Sequence, residues 1–180
     1  MNHSITQIAT VFGRIGATPQ EDEATRIKAV RNMTQRLPFP VTGRQGNADT
    51  FDTAIVSAMR LVQIGSEFGL GRAEMVYLST ALCAPDFLAP LAPVSGGFTR
   101  PTMAQTMLAR VKAGEVFSIY MDRTATGQTM FRPGWTPHNP KGKAFADMVF
   151  ESAGANPDVI ATLEIKASRL IADLLRELGA

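Results

Sequence analysis

Residues 34–52 read TQRLPFPVTGRQGNADTFD, and the reading of this stretch decides the fold. Pro38 and Pro40 stop any helix arriving from the N-terminal side, because proline lacks the donor N–H and restricts the residue before it. Val41-Thr42 and Thr50-Phe51 then predict short extended pieces around a turn at Gly43–Asn47. Asp52 is an N-cap residue type at the start of an apolar-periodic segment. The stretch is therefore either a linker or a small hairpin set between two helices, and its flanks choose between these.

Upstream, Ile5, Ile8, Ala9, Phe12 and Ile15 recur at helical spacing behind Ser4, a plausible cap, and Gly16 can end the segment. A second helix is predicted from TPQE at 18–21, a capping-box pattern with Thr18 as cap and Pro19 at the first helical position. It runs to about Gln35, with Ala24, Ile27, Val30 and Met33 on one side. From Ala24 to Ala48 there are five basic residues, Arg26, Lys28, Arg31, Arg36 and Arg44, and no acidic one. In a chain of 180 residues with a net charge of only +2, such a local basic stretch points to a localised anionic partner or to a solvated helix face. Downstream, Ile55, Met59, Leu61, Val62 and Ile64 predict an amphipathic helix broken by Gly69 and Gly71. A further helix over 71–84 places Met75, Leu78 and Leu82 inside.

This part of the sequence resembles MerR-type winged helix-turn-helix regulators. The resemblance rests on Leu37-Pro38 leading to Gly43-Arg44, then Phe51, the cap Asp52, a helix over 55–68, the Gly69-Leu70 break and a helix over 72–82. It spans roughly residues 4–83. Two features depart from that pattern: the connection GATPQEDEA is longer than the usual compact turn, and RIKAVRNM contains no aromatic. The resemblance implies a winged-helix unit that places a helix in the major groove of DNA and a wing on the backbone. Lys28, Arg31, Asn32 and Gln35 would face the groove. Arg36 and the wing residue Arg44 would grip phosphates, Thr42 and Gln45 would add neutral hydrogen bonds there, and Arg26 completes the DNA-binding set.

The second half reads differently. APDFLAPLAPVSGGFTRPT (84–102) is rich in Pro, Gly and Ala and predicts a loop or domain boundary. Met103–Ala113 is a helix candidate. EVFSIYMDRTATGQTMFRP alternates Phe117, Ile119 and Met121 with Ser118 and Tyr120, a strand-turn-strand pattern. Ala144–Glu151 predicts a short helix. From Asp158 onward, Ile160, Leu163, Ala167, Leu170 and Leu174 follow a 3-4 alternation that predicts one long terminal helix, packed on its own domain or on a second copy of the chain. The expected fold is α+β and mostly helical. It has a DNA-binding domain at 1–84, a linker at 85–101, and a dimerisation or effector domain at 102–180 with a β-hairpin and a C-terminal helix.

No motif for catalysis or cofactor binding emerges. His3 falls in an expected flexible terminus and His138 in the loop WTPHNP, neither with an oriented partner. Asp122-Arg123 is expected at a surface hairpin turn. Cys83 ends an apolar helix, where a buried inert thiol is the simplest role. One cysteine cannot form an internal disulfide, which suits a reducing cytoplasm. Metal-ligand spacings are absent. No apolar run reaches the ~18 residues of a membrane span, and the first twenty residues lack a signal-peptide pattern. Apolar residues are 45% of the chain, enough for a packed core. The expectation is a non-enzymatic double-stranded DNA-binding protein without cofactor or metal, most simply a homodimeric transcriptional regulator that can also contact the transcription machinery. An accessory factor in DNA excision or packaging is a second possibility, and a protein-interaction module using the same scaffold is a third.

Overall fold

The computed structural model describes residues 1–16, 22–87, 89–94, 97–135 and 158–179. Its element order begins β1 (Asn2–Ser4), α1 (Ile5–Ile15), α2 (Glu23–Arg36), β2 (Gly43–Gln45), β3 (Ala48–Asp52), α3 (Thr53–Glu67) and α4 (Arg72–Cys83). The opening stretch is thus a hairpin between helices. Leu37 caps α2 through its N–H to the Met33 carbonyl, and Leu37 and Phe39 are buried while Pro38 and Pro40 stay outside. β3 is the middle strand of a three-stranded antiparallel sheet, with β1 on one side and β2 on the other. Gln45 pairs with Ala48, leaving the two-residue loop Gly46-Asn47. Gly46 has φ 61° while Asn47 does not enter the positive-φ region, the pattern of a hairpin turn with glycine at its first central position.

The capping residues act as expected at two helices. Ser4 and Gln7 form a reciprocal capping box at α1, and Asp52 Oδ1 accepts from the Ile55 N–H at 2.8 Å. The α3 helix is more deeply placed than a one-faced helix. All ten residues from Thr53 to Val62 are buried, because α3 packs on α4, on the two later helices and on strands of both three-stranded sheets.

Past α4 come β4 (Ala92–Val94), β5 (Gly97–Thr99), α5 (Met103–Lys112), β6 (Ile119–Thr124), β7 (Thr129–Pro133), β8 (Val159–Ile165) and α6 (Ala167–Leu178). Three sequence expectations change here. The Pro/Gly-rich segment is not wholly loop, since β4 and β5 form a small antiparallel pair within it. The single long terminal helix is instead a strand followed by a helix. The run VIATLEI is rich in β-branched residues, and it pairs along the free edge of β6 to complete the order β7-β6-β8. A short apolar run of this kind fits both periods, and the open sheet edge decides between them. Third, Asp122 lies buried within β6, where it accepts from Arg132 Nε at 3.0 Å and Thr162 Oγ1 at 2.6 Å, tying three strands together. The helix expected at 144–151 lies outside the described residues.

The apolar core is one cluster running from Ile8 and Phe12 through α3 to Phe117, Ile119, Ile171 and Leu174. The α6 helix packs on α1, α3 and α5, so buried contacts cross the segment 85–101. The fold is α+β and largely helical, as expected.

Candidate nucleic-acid interface

The basic helix starts later than its sequence suggests. Thr18, Pro19 and Glu21 lie outside the described residues, and the cap of α2 is Asp22. Its Oδ1 accepts from the Thr25 N–H at 2.7 Å and its Oδ2 from the Thr25 hydroxyl at 3.2 Å. Those bonds hold the Asp22 carboxyl below its ordinary range, so one acidic group of the 21–23 triplet is engaged with the positive end of its own helix. Val30 is buried, and Ile27 and Met33 pack against the core.

The remaining α2 side chains divide into three directions. Lys28, Arg31 and Gln35 are exposed and, three and four residues apart, share one outward face about 10 Å long. Arg26 turns toward the neighbouring helix. A Cβ built on Gly13 would come within 2.5 Å of Arg26 Nε, so Gly13 is what lets this side chain lie across α1. Asn32 and Arg36 fall on a flank. With Ala29, Met33 and Leu37 they form one wall of a cleft of about 320 Å³, closed by Val62, Gln63 and Ser66 of α3 and Arg72 and Met75 of α4. Arg72 joins Arg36 only through the α3–α4 packing, and its position in sequence carries no signal of this.

The hairpin presents Thr42, Arg44 and Gln45 outward. The Thr42 N–H donates to the Thr50 carbonyl at 3.0 Å and its hydroxyl to the same oxygen at 3.3 Å, which extends the β2–β3 pairing. Arg44 Nε lies 3.4 Å from Asp49 Oδ1, with both side chains largely in solvent, an arrangement weak enough for a phosphate to compete. Gln45 is exposed beside the turn. On the other edge, His3 corrects the expectation of a flexible terminus. It is buried opposite Phe51, its Nε2 lies 3.1 Å from Thr53 Oγ1, and burial and the N-terminal ammonium lower its pKa against the opposing charge of Asp52.

The residues expected to make a dimer seam lie elsewhere than on one helix. Ile160 and Leu163 are on β8. Ala167 and Leu174 are fully buried, and Leu163 and Leu170 pack against the same core. Ile160 alone of the five is well exposed, at 66%. Two aromatic residues of the second half serve the core: Phe117 and Trp135 are buried and meet edge to face at 5.1 Å, with the Arg110 guanidinium over the Trp135 ring.

Among the described residues no group of three or more His, Cys, Asp or Glu is placed to hold a metal. Burial pushes the Cys83 thiol up to about 11, away from reactive thiolate. His138 lies outside the described residues. No described helix is long and apolar enough to cross a membrane. The arrangement offers an exposed helix face with two cations and an amide, and a two-residue hairpin tip flanked by a third cation. Set against known proteins, the chain matches no protein-family model, no curated protein and no solved structure.

Proposed function

We propose that residues 4–83 form a winged helix-turn-helix unit of MerR type that binds double-stranded DNA, and that the protein regulates transcription. The observation that carries this reading is the order strand, helix, basic helix, hairpin, with the hairpin's inner strand central in a three-stranded sheet. That order sets a tight, exposed hairpin directly after a helix whose outer face carries Lys28, Arg31 and Gln35. Such side chains match phosphates and base edges, with arginine suited to guanine and glutamine to adenine. In this reading Lys28, Arg31 and Gln35 enter the major groove, while Arg44 and Gln45 meet the adjacent backbone. Arg26, Asn32 and Arg36 are set apart from that face. A homodimer is part of the proposal, because one such unit reads few base pairs and two linked units gain by avidity. Its contact would use surface other than Ala167 and Leu174, which the core holds.

The test is selection of bound duplexes from a random pool, with the size of the free protein measured by sedimentation. A sharp recurring motif is expected, and Arg31→Ala should relax preference at one position of it. Uniform weak binding to every duplex, or none, overturns the reading and favours a protein-interaction role for the same scaffold.

A further inference from the structure

We infer that the cleft between α2, α3 and α4 is a binding site for a small apolar molecule carrying a single anionic group, such as a medium-chain carboxylate. This does not depend on the DNA reading. At about 320 Å³ the cleft falls at the lower end of the range for small-ligand sites, ~300–1,000 Å³. Its floor is apolar, built from Met33, Leu37, Val62 and Met75, and two of these are methionines, which adapt to irregular guests. Its charged lining is Arg36 and Arg72, and among the described residues no acidic one lines it. Both arginines are exposed, and among the described residues neither has an ion-pair partner. Elsewhere the described arginines are largely engaged: Arg14 with Glu177, Arg44 with Asp49, Arg123 with Glu74, Arg132 with Asp122 and Arg176 with Asp173. Two guanidinium groups beside an apolar floor favour a guest whose anionic head meets the arginines and whose body lies over the methionines.

The probe is octanoate, with octan-1-ol as its uncharged counterpart, titrated calorimetrically into the full chain without DNA. Octanoate is expected to bind saturably at one site, and shortening it to hexanoate should weaken binding about threefold to fourfold per methylene. Arg36→Gln and Arg72→Gln should each weaken octanoate about fivefold and leave octanol unchanged. Ala29→Phe, which fills the cleft from an exposed helix position, should abolish octanoate binding while circular dichroism and the unfolding midpoint hold. The inference is overturned if octanoate shows no saturable binding, if octanol binds as tightly, or if Ala29→Phe binds octanoate like the parent. DNA selection succeeds or fails separately from all of these.

Discussion

The His3 side chain bears on stability more than on chemistry. Its ring is buried on β1 with one polar neighbour, Thr53, and its pKa is lowered from 6.5, burial being the largest cause. The folded state therefore prefers the neutral ring. Above about 6.5 both states hold it neutral and its contribution is complete. As pH falls through that value toward the lower folded pKa, the unfolded chain takes up the proton first, and stability is lost over that window. Urea midpoints should drop between pH 7.5 and 5.5, and His3→Gln should show a smaller drop. Equal drops in both proteins would remove His3 from the account. The ring's role was invisible in sequence, because only its pairing opposite Phe51 makes the second residue of the strand an interior one.

At the scale of the element, the β2–β3 hairpin is the part whose behaviour is most open to test. Gly46 sits at φ 61°, a conformation costing other residues roughly 1–2 kcal/mol. The turn residues thus specify a tight tip, and Arg44 is held on the strand beside it. Arg44→Ala should weaken binding to all duplexes alike and lower the magnitude of the salt slope by about one. An unchanged slope in a salt titration would exclude the hairpin from the interface. The α2 helix teaches the complementary lesson. Its amphipathic spacing was legible, yet the spacing alone could not separate Arg26, laid over Gly13, from Lys28 and Arg31 in solvent. Helical periodicity assigns faces, and the neighbour that covers a face comes from elsewhere in the chain.

At the scale of the molecule, the decisive contact is α6 on α1, α3 and α5. Leu174 has no exposed surface and belongs to the cluster that includes Ile8 and Phe12. Leu174→Ala should cost about 3 kcal/mol and lower a single unfolding transition, followed by the fluorescence of Trp135 and by far-ultraviolet dichroism. Two separate transitions, with the first 84 residues unaffected, would instead mark two independent domains. By itself the sequence determined the caps at Ser4 and Asp52, the helix breaks at Gly16 and Gly69, the hairpin after Pro40 and the alternation of Phe117, Ile119 and Met121. These are local, set by side-chain hydrogen bonds and backbone sterics within a few residues. Only the tertiary structure decided that VIATLEI is a strand, that α3 is buried all round from Thr53 to Val62, and that Arg36 and Arg72 share a cleft. Each of those depends on a partner distant in sequence: the free edge of β6, the helices around α3, and the packing of α4 beside α2. Local spacing records which faces are apolar, and burial against remote segments settles what those faces meet.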